Sequence, residues 1–144
     1  MVEYRENALT AQDFFRLKLA TKFHEPNIPQ VELALKRGLY NIAAAADGQV
    51  VGMGRLVGDG VMYWYIQDVN VDPAYQGRGI GKAIVLRLIE YVNQHALPGQ
   101  RTTIGLMAAK GKDGFYEKLG FTARPNDSRG PGMTMIFTAP GGEK

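Results

Sequence analysis

Three glycines at alternate positions, Gly77, Gly79 and Gly81, constrain this chain more than any other feature. They follow an aromatic and β-branched segment that predicts a strand over 61–72, and they precede a segment that predicts a helix over 80–94. Glycine accepts positive φ and allows a ligand to approach the backbone closely. The first N–H groups of a helix lack partners inside the helix and attract anions. The segment therefore predicts a pyrophosphate site between strand and helix.

Two familiar nucleotide motifs do not fit this spacing. A dinucleotide fingerprint needs its third glycine three residues after the second, and a phosphate loop ends in Gly-Lys-Ser/Thr. Here Gly81 follows Gly79 by two positions, and Lys82 is followed by Ala83. Arg78 and Lys82 add positive charge, which suits a polyanionic ligand. A glycine-rich turn without a ligand is the alternative.

The remaining pattern predicts an α/β (α+β) chain that forms one domain over 1–144. Ile80, Ile84, Leu88 and Val92 recur at helical spacing and mark the clearest helix. Further helices are predicted over 9–22, 31–37 and 112–119, and strands over 40–46, 49–57, 102–109, 121–124 and 133–138. Asp47-Gly48 and Asp59-Gly60 predict hairpin turns. The order predicts a central mixed, twisted sheet of six to seven strands flanked by about four helices, with one parallel crossover.

Composition narrows the possible chemistry. The 144 residues include no cysteine and only two histidines, so disulfides and cysteine nucleophiles are excluded and a metal site is not expected. Net charge is +3 without a basic run, so nucleic acid is not an expected partner. No apolar run is long enough to span a membrane, and the charged first residues do not resemble a signal peptide. We therefore expect a cytoplasmic protein.

Two motifs resemble those of a known family. Gln76-x-x-Gly79-x-Gly81, preceded by the strand 67–73, resembles motif A of the GNAT superfamily of N-acetyltransferases. Tyr116-Glu117-Lys118-Leu119-Gly120-Phe121 resembles its motif B. The resemblance covers nearly the whole chain and implies the GNAT fold with acetyl-CoA as acetyl donor and no metal. Ala109 and Lys112 depart from motif B, where many members have Asn and Ala.

The resemblance also implies where the cofactor lies. Backbone N–H groups of 77–82 would hold the CoA pyrophosphate, and the central strand would splay at Val71 and pair with the pantetheine arm. Tyr116 would protonate the leaving thiolate as general acid, which a phenol can do. The residues expected at the cofactor, besides Val71 and Tyr116, are Asn70, Gln76, Gly77, Arg78, Gly79, Ile80, Gly81, Lys82 and Phe115.

Asp68 is the first candidate to accept the proton of the attacking amine, directly or through water, or to hold the ammonium. It lies on the predicted central strand among aromatic residues, and a desolvated carboxylate makes a better base. Because side chains alternate on a strand, it shares a face with Asn70 unless a bulge intervenes. A salt-bridged surface Asp68 is the alternative. His24 and Glu25 are weaker candidates, and Met53 and Arg55 are expected near the same cleft.

Three functions are compatible with these patterns. The leading one is an acetyl-CoA-dependent N-acetyltransferase that acts on a primary amine of a small molecule, of the arylalkylamine or polyamine kind. Since the chain has no cysteine, transfer would be direct, within a ternary complex. The others are a protein lysine or N-terminal acetyltransferase and a non-catalytic acyl-CoA sensor. A homodimer is common in the family and is a further expectation.

Overall fold

The computed structural model describes residues 1–21 and 26–141. They separate into two compact units, Met1–Leu106 and Met107–Lys144, and each is described here by itself. A single domain over 1–144 stays a prediction. Among the described residues, no helix combines the length and the apolar character that a membrane crossing requires.

The first unit is built on a five-stranded mixed sheet. Its strands lie in chain order: β1 (Glu3–Glu6), β2 (Tyr40–Ala46), β3 (Gln49–Gly58), β4 (Tyr63–Val71) and β5 (Thr103–Leu106). The first three pairings are antiparallel, whereas β4 and β5 are parallel. The predicted mixed sheet and its parallel crossover are therefore confirmed.

Three α-helices cover this sheet: α1 (Ala11–Ala20), α2 (Ile28–Arg37) and α3 (Ile80–His95). Thr10 begins α1, because its side chain accepts a hydrogen bond from Asp13 N at 3.1 Å. Asn27 does the same for α2, which starts three residues earlier than the predicted 31 because Asn27 supplies the cap. Phe14 and Leu17 of α1 pack with Met53 in the buried core.

The contact between α3 and β3 is unusually close, since two glycines of β3 face the helix. A Cβ at Gly52 would lie 3.1 Å from side-chain carbons of both Ile80 and Ile84. At Gly54 it would lie 2.6 Å from Cγ2 of Ile84 and 3.2 Å from Leu88. The helical stripe predicted from sequence is thus confirmed as the buried face of α3, and it needs glycine opposite.

The two predicted hairpin turns differ in outcome. Asp47 and Gly48 both have positive φ, 51° and 79°, as a two-residue turn between β2 and β3 requires. Asp59-Gly60 does not form such a turn, because β3 runs to Gly58 and β4 begins only at Tyr63. Instead Asp59 Oδ1 accepts hydrogen bonds from the N–H groups of residues 61, 62 and 63, and a four-residue loop results. These donors hold the pKa of Asp59 below its usual value.

The second unit contains one short helix, α4 (Asp113–Glu117), followed by irregular chain. The predicted strands over 121–124 and 133–138 are wrong, and the sheet has five strands where six to seven were expected. The apolar side chains of Met133, Met135 and Ile136 are 87%, 89% and 97% exposed. A strand needs a neighbour for its backbone groups, and the described part of this unit offers none.

We predict that Gly54→Ala destabilises the protein. The new methyl group would collide with Ile84, which is fully buried and cannot move aside, so overpacking should cost about 1–3 kcal/mol. Urea unfolding measures this change in the free energy of unfolding. Gly105→Ala is the control, because its Cβ would be 3.6 Å from the nearest atom, an ordinary contact. Equal stability of the two variants would contradict close packing of α3.

Candidate active site

β4 has an open edge where it continues beyond β5. The parallel ladder joins Tyr63–Ile66 to Thr103–Leu106 and then stops, whereas β4 runs on to Val71. On its other edge β4 stays paired with β3, with Asn70 opposite Met53 and Val71 opposite Gly52. Within the first unit, the backbone of 67–71 therefore has no strand beside it on one side. An extended ligand with amide groups could pair there.

The glycine segment lies directly after this edge and leads into α3. Gly77 and Gly79 both have φ of 80°, the left-handed region that favours glycine. A Cβ at either position would meet nothing within 4 Å, so the glycines are required by conformation and not by packing. No side chain of a described residue caps α3, and its first hydrogen bond runs from Ala83 N to Gly79 O at 3.0 Å. The N–H groups of Ile80, Gly81 and Lys82 precede that bond and have no partner inside the helix.

Side chains around the segment brace it and add charge. Gln76 donates from Nε2 to the carbonyl of Val71 at 3.0 Å, which ties the loop to the end of β4. Arg78 lies over the ring of Tyr75, 4.9 Å from its centroid, and Lys82 is exposed. Two cations thus flank free N–H groups at a helix start, which is an arrangement that binds phosphate.

Two of the predicted cofactor residues are buried. Ile80 is 2% exposed and its side chain packs against β3, so only its backbone can meet a ligand. Asn70 is 7% exposed and sits in the part of β4 that lacks a β5 partner. Val71 is half-buried at the end of the same strand. The structure therefore brings together the predicted cofactor residues from 70 to 82 in one region of the first unit.

A β-bulge interrupts β4 before this region. The register with β3 shifts between Met53 and Arg55, and Asp68 has a φ of 57°. Asp and Asn tolerate this conformation better than other residues that have a side chain. The bulge also breaks the simple alternation that would place Asp68 on one face with Asn70.

Both carboxylate oxygens of Asp68 are engaged by cations. Lys18 Nζ lies 2.8 Å from Oδ1, and Arg55 Nε lies 2.8 Å from Oδ2. The three side chains are only 11–17% exposed. Asp68 is thus salt-bridged, as the alternative interpretation of the sequence expected, and its role as a proton acceptor stays a prediction. An incoming ammonium would have to displace one of the two cations.

A cavity of about 490 Å³ opens beside this ion-pair cluster. Its floor is formed by Arg55, Gln67 and Asp68. The rest of its lining comes from α1, from α2 and from the two residues before α2, and is apolar or amide-bearing except for one lysine: Phe14, Lys18, Pro26, Asn27, Gln30, Val31, Ala34 and Leu35. The predicted candidates His24 and Glu25 lie outside the described residues.

In the second unit, Tyr116 sits in an aromatic cluster on α4. Its ring meets Phe115 edge-to-face at 5.0 Å and Phe121 at 5.9 Å between centroids. Burial raises the pKa of the Tyr116 phenol above its ordinary value of 10.0. The phenol therefore keeps its proton at neutral pH, as a proton donor must.

Sequence reasoning missed one member of this site. Lys18 gave no signal, because it looks like any other lysine on an amphipathic helix and reaches Asp68 only through the packing of α1 on the sheet. Arg55 was expected near the cleft, but its ion pair was not. The bulge residue could have been suspected from Asp68 itself, since Asp in a strand of otherwise β-favouring residues often marks an irregularity.

Comparison with known proteins agrees with the motifs and the fold. The model of the acetyltransferase (GNAT) family matches residues 8–121. The chain belongs to this family. Members use acetyl-CoA as acetyl donor.

Two plant proteins are similar to this GNAT chain. It is 33% identical over 120 residues to GCN5-related N-acetyltransferase 1, chloroplastic, of Arabidopsis thaliana, covering 82% of this chain and 57% of that protein. It is 35% identical over 92 residues to serotonin N-acetyltransferase 2, chloroplastic, of Oryza sativa, covering 64% and 44%. The chain thus spans about half the length of these curated relatives.

A solved structure extends the agreement to the fold. A crystal structure from meticillin-resistant Staphylococcus aureus, of a protein named a "Probable Acetyltransferase", matches with a TM-score of 0.83 at 25% identity. The match covers 95% of this chain and 100% of that one. The GNAT fold predicted from sequence is confirmed.

We predict that Asp68→Asn lowers the free energy of unfolding by about 2 kcal/mol, the size of a lost hydrogen bond between charged groups. The change preserves shape and tolerates the positive φ, but leaves Lys18 and Arg55 largely buried beside a neutral group. Urea unfolding is the measurement, with Asp127→Asn on the exposed chain as control. A loss no greater than that of the control would show that the cluster does not stabilise the fold.

We predict that Tyr116 makes the protein less stable in alkali. A folded-state pKa above the unfolded value of about 10 gives stability that is present below pH ~10 and is lost as pH rises through the folded pKa. Tyr116→Phe removes the titrating group. The free energy of unfolding of wild type should therefore fall relative to that of the variant as pH rises above ~10. A difference that is constant up to pH 12 would contradict burial of the phenol.

Proposed function

We propose that this GNAT chain transfers the acetyl group of acetyl-CoA to a primary amine of a small molecule. The observation that carries the proposal is the segment 77–82, with two left-handed glycines, unpaired helical N–H groups and flanking cations next to the open edge of β4. These features fit a cofactor with a pyrophosphate and an amide-containing arm. Acetyl-CoA supplies an acetyl group activated as a thioester.

The backbone of the first unit performs the binding. N–H groups of Gly77 to Lys82 would hold the pyrophosphate, with Arg78 and Lys82 adding charge. The unpaired edge of β4 at Asn70 and Val71 would align the pantetheine amides, and a backbone N–H there would polarise the acetyl carbonyl. A donor aimed at developing negative charge lowers a barrier of this kind by ~3 kcal/mol.

Tyr116 would act as the proton donor to the thiolate that leaves. The amine nitrogen forms a bond to the acetyl carbon as the carbon–sulfur bond breaks, and the phenol proton passes to sulfur. The raised pKa of the phenol supports this role, because the group is protonated when the reaction begins. With no cysteine in the chain, acetyl transfer proceeds without an acetyl-cysteine step.

The proton of the amine leaves through the cavity beside the ion-pair cluster. Asp68 is our first candidate to receive this proton. A water molecule would carry it there, because both carboxylate oxygens already have cationic partners. The cavity of about 490 Å³ has the size of a small-molecule site. This supports a small acceptor over the second candidate, a protein lysine or N-terminal amine, and an acyl-CoA sensor without turnover is the third.

The decisive assay follows free CoA thiol as acetyl-CoA is mixed with a panel of amines. The chain has no cysteine, so the protein adds no thiol background. We expect turnover with at least one class of small primary amine. We expect Tyr116→Phe to lower kcat about 100-fold, and Tyr4→Phe on β1 to leave it unchanged. Turnover only with lysine peptides would favour the protein acetyltransferase instead.

Cofactor binding is tested separately by acetyl-CoA-induced rises in Tm. Gly79→Ala should weaken binding about 10-fold or more, because a side chain at φ 80° is strained and the backbone would have to leave the conformation that presents its N–H groups. Gly48→Ala is the matched control: it has φ of 79° and the same open surroundings, but lies in the β2–β3 turn. A rise with no turnover of any amine would point to the sensor. No rise at all would overturn the proposal.

A further inference from the structure

The guanidinium of Arg55 is only partly used by the fold. It donates to Asp68 through Nε, at 2.8 Å. Its two terminal nitrogens, which carry four N–H donors, make no hydrogen bond with any described residue. The side chain is only 16% exposed, yet every fully buried side-chain nitrogen or oxygen of the described residues has a partner. The terminal nitrogens are therefore accessible to solvent, and Arg55 lines the adjoining cavity.

The ion pair also fixes the direction of that guanidinium. Asp68 accepts the hydrogen bond from Nε, and the backbone of Asp68 is itself fixed because β4 is paired with β3 on both sides of the bulge. A planar fork whose orientation is set before a ligand arrives loses little entropy on binding. Two parallel N–H donors of this kind match the two oxygens of a carboxylate.

The charge of the cavity points the same way. Its described lining has two cations, Lys18 and Arg55, against one carboxylate, Asp68. Both oxygens of that carboxylate already have cationic partners, so a polyamine would find no unpaired carboxylate among those residues. A carboxylate on the ligand would instead meet the terminal nitrogens of Arg55, and the apolar side chains of Phe14, Val31 and Leu35 would accept its hydrocarbon part.

We propose that the acceptor carries a carboxylate in the same molecule as its amine, and that Arg55 binds this carboxylate through its terminal nitrogens. Arg55 is thus a specificity-determining residue, and Asp68 is the positioning residue that holds it. The inference rests on the proposed function, since it names the class of amine that the transferase takes. It selects amino acids and related amino carboxylic acids over simple arylalkylamines and polyamines.

Matched acceptors test the inference. Each set contains one amine with a carboxylate, the same compound as a neutral carboxamide, and the amine without either group: tyrosine, tyrosinamide and tyramine, and likewise tryptophan, tryptophanamide and tryptamine. A third set, 6-aminohexanoate, its amide and hexylamine, separates amine and carboxylate by a longer spacer. Spermidine represents the polyamines. The readout is the ratio of kcat/KM for acid over carboxamide within each set.

We expect wild type to prefer the acid at least 10-fold in one set or more, and to turn over spermidine poorly. Arg55→Gln should lower that ratio about 10- to 100-fold, the effect of losing a charge-assisted pair of hydrogen bonds. Arg55→Lys keeps a cation beside Asp68 but loses the fork, so it should give an intermediate ratio and serves if the first variant does not fold. Arg37→Gln, exposed on α2 and outside the cavity, should keep the wild-type ratio.

Binding is measured in parallel, as the rise in Tm that each compound causes in the presence of CoA. If amines are turned over but acid and carboxamide react alike, the inference is wrong and the transferase stands. If nothing is turned over but acids stabilise wild type and not Arg55→Gln, the carboxylate site stands and the transferase proposal falls. If acids neither react preferentially nor stabilise the protein, the inference is overturned on both readouts.

Discussion

The close approach of α3 to β3 is the contact on which the site depends. Gly52 of β3 is paired with Val71 at the end of β4, and it faces Ile80, the first residue of α3. Packing the helix onto glycine therefore brings its first turn beside the last residue of the central strand. The free N–H groups of the helix and the open backbone of β4 become neighbours as a consequence of core packing, before any ligand contributes.

Two irregularities of β4 fall in the same short stretch and serve different purposes. The end of the β5 ladder after Ile66 leaves one edge of the strand without a partner. The bulge at Asp68 acts on the other edge, where it re-aims one side chain toward Lys18 and Arg55. A regular strand would offer neither an edge for a ligand nor a carboxylate in this direction. The sheet thus has fewer backbone hydrogen bonds where binding is proposed, and the ion pairs on Asp68 contribute stability there instead.

Features with local causes could be predicted from the sequence. The stripe of α3 and the Asp47-Gly48 turn each depend on residues within one or two turns of the chain, and each is confirmed. The glycine segment was recognisable because its glycines, which accept positive φ, stand directly before the start of a clearly predicted helix. The site residues themselves remain predictions, but 70–82 could be placed in one region from the strand and helix pattern alone.

Features that depend on distant partners could not be predicted. The bulge at Asp68 is a property of two strands in register, and Lys18 reaches it from a helix fifty positions earlier in the chain. Residues 121–124 and 133–138 have the composition of strands, but composition does not provide a neighbouring edge. The prediction of a two-residue turn at Asp59-Gly60 is wrong for a related reason. The Asp59 carboxylate binds N–H groups that a tighter turn would have left to the β3–β4 ladder.

The proposed charge arrangement bears on how the amine becomes reactive. Only the neutral amine can attack the acetyl carbon, and an ammonium entering beside Lys18 and Arg55 is repelled by both. The same cations that would hold a carboxylate therefore also favour loss of the amine proton to water. An amino acid satisfies both conditions, since its carboxylate is attracted while its ammonium is destabilised at the point where it must deprotonate. On this view Asp68 orients Arg55 besides being the first candidate to receive the amine proton through water, and the field of the neighbouring cations favours the departure of that proton.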